Sequence, residues 1–316
     1  MTQIDKSRFE WIGSDSARRE GISRPSTTFW NAIGRLMKNK VAVVCFFIIV
    51  LLILSCIIVP FFSPFESREQ HLGEVNKGFM TVCTDSRYEG QHHVHYFGTD
   101  NLGRDLFLRA FEGGRVSLMI AFAAVFVNLI VGLIYGGISG YIGGAVDTIM
   151  MRIVEIVNGI PYLIVVILLM MVLPKGIFTM VVAYGITGWT GMARLVRGQV
   201  LQLKSQEYIV AAEAMGAKSS RIIAKHLIPN ALSVIIINVT LAIPSAIFTE
   251  AFLSYIGLGV PVPQPSWGVL AKGGQDVFMT YPYQLVVPAV AISLTMLSFN
   301  LLGDGLRDAF DPRLRR

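Results

Sequence analysis

The sequence predicts an all-α polytopic membrane protein with six transmembrane helices, and three observations carry that expectation. Of its 316 residues, 53% are hydrophobic and only 15% charged, with a mean hydropathy of +0.58, too apolar for a soluble domain of this length. Several apolar runs reach the roughly 20 residues that a helix needs to cross the hydrocarbon layer. Lys and Arg concentrate in alternate connecting segments, as expected when positively charged loops are retained in the cytoplasm.

The first span is expected over 41–62, an unbroken apolar run that ends at Pro60 and the Ser63–Pro64 pair. It is too long and too far from the N-terminus for a cleaved signal peptide, and no small-residue cleavage site follows, so it stays as an anchor. A polar segment over 63–114 comes next. Within it Thr99 or Asp100 is placed to start an interfacial helix, with Arg109 four residues after Asp105 as a brace. The remaining spans are expected over 116–140, 150–173, 177–195, 231–255 and 288–302, the third of these six spans mildly broken by the proline after Gly159. The chain therefore divides into a cytoplasmic segment 1–40, the anchor 41–62, an extracytoplasmic segment 63–114, a core 115–306 of five spans with an inner loop near 198–229, and a tail 307–316.

Orientation follows from the cations. An inside N-terminus places Lys6, Arg8, Arg18, Arg19, Arg24, Arg35, Lys38, Lys40, Arg152, the group from Arg194 to Lys225, Arg307, Arg313, Arg315 and Arg316 in the cytoplasm, 19 against 8 outside. Both termini are then cytoplasmic. The net charge of +6 is accounted for by this bias and by attraction to anionic membrane lipid, with no nucleic acid as partner.

Reactive chemistry is not legible. Cys45, Cys56 and Cys83 offer no disulfide framework within one chain. His71, His92, His93, His95 and Cys83 match no closed metal-ligand spacing, so the histidines are expected as solvated loop residues and the three cysteines as structural, and no metal site is assigned. No paired carboxylates or Ser/His/Asp set supports catalysis. A phosphate-binding G-x-x-x-x-G-K-[ST] loop is absent from the sequence, "MGAKSS" at 215–220 imitating only its tail. The chain is expected to be no enzyme and to hold no cofactor of its own.

The inner loop contains "AAEAMGAKSSRIIAKHLIPN", residues 211–230. Residues 205–215 favour helix, Gly216 is a natural stop, Ser219 or Ser220 suits the cap of a second turn, and Pro229 suits the first turn of the fifth span. Helical spacing puts Tyr208, Ala211, Ala212 and Met215 on one shallow face, with Glu207, Glu213 and Lys218 off it. Such a face fits insertion into another protein's groove and fits equally well packing on its own membrane domain.

The pattern Ala211, Ala212, Gly216 and Pro229 resembles the EAA loop of ABC importer permeases. It departs at Val210, where that family usually has glutamate, and at His226, although the peptide branch commonly carries "HxxPN" as His226 to Asn230 do. "HYFGTDNLGRDLFLR" at 95–109, "EAFLSYIGLGVPVPQPSWG" at 250–268 and "GDGLRDAFDPR" at 303–313 resemble segments of oligopeptide and dipeptide permeases of the OppC type. The resemblance implies a six-span type I ABC importer permease fold in a bacterial cytoplasmic (inner) membrane. It also implies oligopeptide import with four kinds of partner: a second homologous permease, two nucleotide-binding ATPase subunits, an extracytoplasmic peptide-binding protein and membrane lipid. The family's coupling role maps here onto Glu207, Tyr208, Ala211, Ala212, Glu213, Met215, Gly216 and Ala217. Nickel, dipeptide or glutathione import through the same family, or ion-coupled secondary transport, are the alternatives.

Gly132, Gly136, Gly140 and Gly144 recur every four residues and predict close helix packing within the chain. A charge at the bilayer centre costs roughly 2.5–3.5 kcal/mol on insertion scales, which marks Glu155 and Glu250. Glu155 is expected to be paired or snorkelling, and Glu250 is the candidate for the translocation pathway. A charged residue at Ala212 is expected to block docking while leaving insertion intact.

Overall fold

In the computed structural model, residues 25–84 and 93–310 are described; the cations before residue 25, His92 and the tail from 311 lie outside them. A helix not anticipated from the sequence, α1 (Pro25–Leu36), precedes α2 (Lys40–Phe62), whose start is capped by the Asn39 side chain accepting from the Ala42 N–H at 3.2 Å. A small antiparallel hairpin, β1 (Thr81–Val82) and β2 (Val94–His95), belongs to the outer segment. Then follow α3 (Leu106–Ile142), α4 (Gly144–Gly159), α5 (Tyr162–Val172), α6 (Ile177–Thr187), α7 (Trp189–Lys204), α8 (Glu207–Ala214), α9 (Ser219–Ile222), α10 (Ile228–Tyr255), α11 (Trp267–Asp276) and α12 (Tyr283–Phe310).

Among the described residues four stretches are long and apolar enough to cross a membrane: Lys40–Phe62, Leu106–Ile142, Ser219–Tyr255 and Tyr283–Phe310. α4 and α5 make a fifth if the pair is one span, and it is bent by 80°. The break expected there as mild is therefore severe. Pro161 lacks a backbone donor and drives Ile160 into the extended region, at φ −86° and ψ 120°, so the α4 ladder cannot continue. The expected span over 177–195 is divided between α6 and α7, which meet at Gly188.

α2 shows how an almost uniformly apolar helix still has an inside. Ala42, Cys45, Ile49 and Cys56 are buried at spacings of three, four and seven, while Phe47, Leu51 and Phe61 remain exposed on the opposite side. The buried stripe packs with Leu118, Val125, Ile247 and Phe299 in one core cluster. Cys45 and Cys56 are thus packing residues, as expected.

The tightest helix contact joins α3 to α7. An added Cβ would lie 2.6 Å from Met192 Cβ at Gly132, 2.3 Å from the Ala193 carbonyl oxygen at Gly136 and 2.9 Å from the Arg197 carbonyl oxygen at Gly140. Three of the four periodic glycines therefore serve close packing. Gly144 does not: it opens α4 at φ +57° with nothing near it.

α3 has 37 residues, about 55 Å of helix, and outruns the hydrocarbon layer of about 30 Å. Its outer end replaces the separate interfacial helix anticipated near Asp100. Asp105 is its cap, accepting from the Leu108 N–H at 2.7 Å. Asp100 instead folds the preceding turn, accepting from the N–H groups of Leu102 at 2.9 Å and Arg104 at 3.0 Å and from Arg104 Nε at 2.7 Å. Gly103, at φ +71°, passes so close to the His71 backbone that a Cβ would sit 2.0 Å from its carbonyl oxygen.

This outer segment is fastened to the membrane core. Arg109, buried, donates to the Ser67 carbonyl at 2.7 Å, and Tyr283 and Gln284 at the head of α12 donate to Lys77 O and Asn76 Oδ1 at 2.7 and 2.8 Å. The expected solvated histidines are a correction: His71 and His95 are 1% and 0% exposed. His95 bridges two acids, Nδ1 to Asp105 at 2.7 Å and Nε2 to Glu74 at 3.1 Å. Burial works against its protonation, but the bonds and charges of Asp105 and Glu74 outweigh it and raise its pKa. Burial likewise opposes ionisation of Glu74, and hydrogen bonds from Thr84, His95 and Cys83 overcome it and hold that carboxyl below the usual range.

Candidate functional site

The inner loop forms as two short helices around a glycine. α8 ends at Ala214 with Met215 as its C-cap, and Gly216 at φ +78° reverses the chain in the left-handed region, its N–H bonding the Glu213 carbonyl at 2.9 Å while the Ala217 N–H bonds that of Ala212 at 3.1 Å. α9 starts after Lys218, with no side-chain cap, so the expected serine cap is not formed. Ser219 to Tyr255 then runs as one helix through a π-type stretch at Ile223–Leu227, with Pro229 in the first turn of α10. The second helix of the loop is thereby the inner end of a membrane-crossing rod.

Side-chain placement divides the expected face in two. Tyr208 is 43% exposed and Met215 81%, and Glu207, Ala211, Glu213 and Gly216 are also exposed. Ala212, at 6%, is turned inward together with Ile209, at 0%, and Ala217 is half-buried. The reason is that α8 must seat on something. Ile209 packs with Tyr141 of α3, Val196 and Val200 of α7, and Ile222 and Leu227 below α10, which points the neighbouring i+3 position, Ala212, the same way. The expected effect of a charge at Ala212 is corrected accordingly: it buries a carboxylate in the loop's own seat, so it perturbs folding before any partner is involved. Ile209, the anchor, escaped the sequence reading because one isoleucine in an eight-residue helix gives no periodic signal.

Two polar contacts stiffen this seat. Lys204 donates to the Tyr141 carbonyl and lies 5.2 Å from the centre of the Tyr141 ring. Asp147 at the head of α4 takes Arg197 Nε and Nη2 at 2.5 and 2.6 Å, with Ser139 Oγ donating at 2.5 Å, a forked pair that joins α3, α4 and α7. Asp147→Asn is expected to weaken this junction by about 1.5–3 kcal/mol, the usual worth of a charge-assisted bond, seen as a lower thermal midpoint of the purified chain. Gly216→Val meets no neighbour, since no atom lies within 4 Å of the added Cβ, so its cost is conformational, about 1–2 kcal/mol. Faster proteolytic cleavage within 205–229 of an otherwise intact protein is the expected reading.

The acidic residues marked in the sequence separate clearly. Glu155 is 59% exposed and paired with Arg152 on its own helix at 2.6 Å. Glu250 is 2% exposed and accepts from Ser254 Oγ at 2.7 Å, enclosed within the chain and presented on no surface of it. Trp267 is buried with its Nε1 donating to the Ala110 carbonyl at 2.9 Å, which locks α11 against α3. A cleft of about 690 Å³ between α11 and the outer segment is walled by Asp100, Arg104, Pro261 and Lys272.

Residues 128–316 match the family described as the binding-protein-dependent transport system inner membrane component, and residues 27–78 match the N-terminal transmembrane domain of oligopeptide transport permease C. The chain is 48% identical over its whole length to the whole oligopeptide transport system permease protein OppC of Bacillus subtilis. It is 47% identical, over 94% of its length and 90% of the relative's, to the dipeptide transport system permease protein DppC of the same organism. Identity to Escherichia coli OppC is 42% over 99% of each chain. These matches cover the chain from end to end, and it belongs to the binding-protein-dependent inner-membrane permeases of ABC importers, in the OppC-type branch.

Proposed function

We propose that this chain is the permease subunit of an ATP-driven oligopeptide importer. It sits in a bacterial cytoplasmic (inner) membrane as six spans with both termini cytoplasmic. It pairs with a second homologous permease, and receives peptide from an extracytoplasmic binding protein that meets the 63–114 side. Two ATPase subunits hold ATP and Mg, and one of them docks on the 205–229 loop of this chain. The names of the full-length relatives, oligopeptide permeases at 48% and 42% identity, support the substrate class.

One observation carries the coupling role: α8 exposes Tyr208 and Met215 outward while Ile209 fixes it to α3, α7 and the root of α10. A partner gripping the outer side of α8 moves these helices with it. Close packing at Gly132, Gly136 and Gly140 lets α3 and α7 tilt as one body, and a packed seam of this kind passes displacement on instead of absorbing it.

A dipeptide importer is the second reading, favoured by the 47% identity to DppC. Reconstitution of the complete complex with its binding protein tests both. Stimulation of ATP hydrolysis by peptides of about four residues or more, above that by dipeptides, is expected from an oligopeptide site that makes more contacts with longer ligands. Uptake by this chain alone, driven by an ion gradient without ATP, overturns the proposal.

A further inference from the structure

We propose that His71, Glu74 and Cys83 in the outer segment form a binding site for a divalent cation of the zinc class. Their donor atoms all lie within 4.8 Å of one another and all three side chains are buried. The 3₁₀ turn Leu72–Glu74, entered from His71, sets His71 and Glu74 three residues apart and hence on one side. The hairpin brings Cys83 to them, its N–H bonded to the His93 carbonyl at 2.8 Å and its Sγ 3.3 Å from Glu74 Oε2.

The donor set selects the ion. A thiolate, an imidazole and a carboxylate suit Zn²⁺ with a water in the fourth position, whereas Ca²⁺ and Mg²⁺ require oxygen donors throughout. Bonds of about 2.0–2.3 Å place tetrahedral ligands roughly 3.3–3.7 Å apart, so closure needs a contraction of at most about 1.5 Å from the observed spread of 4.8 Å.

The shell behind the donors is already built. Glu74 Oε1 accepts from the Thr84 N–H and from the Thr84 hydroxyl at 2.9 Å. His95 holds Oε2 through Nε2 and is itself oriented by Asp105 through Nδ1. A ligating carboxylate held by an oriented histidine is the arrangement that fixes ligands around metals. On binding, the Cys83 thiol loses its proton to solvent and the S–H contact to Glu74 becomes a shared bond to the cation. Through His95 and Asp105, the cation braces the N-terminal cap of α3.

The full-length chain, purified in detergent and stripped with chelator, is titrated with Zn²⁺ and, separately, Co²⁺. Retention of about one equivalent of zinc after desalting is expected, and cobalt should give a near-ultraviolet thiolate charge-transfer band with tetrahedral visible bands. Cys83→Ser should abolish the charge-transfer band, His71→Ala should lower affinity at least about tenfold, and His226→Ala, on the other side of the membrane, should change neither. Zinc retention below about a tenth of an equivalent by the unmodified chain overturns the site, and this result depends on no variant's folding. Undiminished binding in Cys83→Ser and His71→Ala overturns it equally.

Discussion

Gly136→Val is expected to prevent stable folding of the membrane core. The added Cβ falls 2.3 Å from the Ala193 carbonyl oxygen and 3.0 Å from the Arg197 N; both are backbone atoms of α7, so no side-chain rotation makes room. α3 and α7 must separate. That loosens Met192, Val196 and Val200 in the cluster that also seats Ile209, and lengthens the Asp147–Arg197 fork. Overpacking alone costs roughly 1–3 kcal/mol; parting a seam that carries this many contacts adds to it, against a total stability of about 5–15 kcal/mol for typical domains. A steep fall in membrane-inserted protein, with a thermal midpoint lowered by several degrees in whatever is recovered, is the expected measurement. Gly198→Ala on the same α7, where no atom lies within 4 Å of the new Cβ, is expected to be neutral or slightly stabilising. A Gly136→Val chain as abundant and heat-resistant as the parent contradicts the packing argument.

Ala211→Glu combined with Met215→Glu is expected to abolish substrate-stimulated ATP hydrolysis in the reconstituted complex while the chain itself stays folded. Met215 is 81% exposed and Ala211 is also exposed, so neither substitution buries charge within the chain. A partner groove closing over them would have to desolvate two carboxylates, each at more than the about 1–3 kcal/mol of a neutral polar group on mutational scales, enough to reduce docking by at least about thirtyfold. The readouts are co-purification of the ATPase subunits, the hydrolysis rate with and without peptide, and the thermal midpoint of the isolated permease. Unchanged midpoint with lost coupling is expected. Ala212→Glu is expected to differ, lowering the midpoint of the isolated chain as well, because Ala212 faces inward. If the double variant couples normally, the outer side of α8 is not the docking face.

The legible parts of the fold and loop were those with strong local chemistry. Gly216 stops α8 because only a residue without a side chain takes a positive φ cheaply, and Pro229 tolerates the first turn of α10 because its missing N–H has no partner there. The α3 glycines announced close packing by their spacing. The outer segment was misread for the opposite reason: His71, Glu74, Cys83, His95 and Asp105 are scattered over 35 positions, and only a hairpin and a tight turn gather them. Asp147 and Arg197, fifty residues apart, show no mutual signal along the chain for the same reason.

By itself the sequence determined that this is a helical membrane protein, where four of its crossing helices lie, where the inner loop turns, and which permease branch it resembles, because hydropathy, glycine and proline act over one or two helical turns. Only the tertiary structure decided that α4 and α5 bend by 80°, that Ala212 points inward while Met215 points out, and that His71 and His95 are enclosed. Which side of a short helix is buried, and which distant polar groups meet, depends on the neighbours that packing supplies, and those neighbours lie far away along the chain.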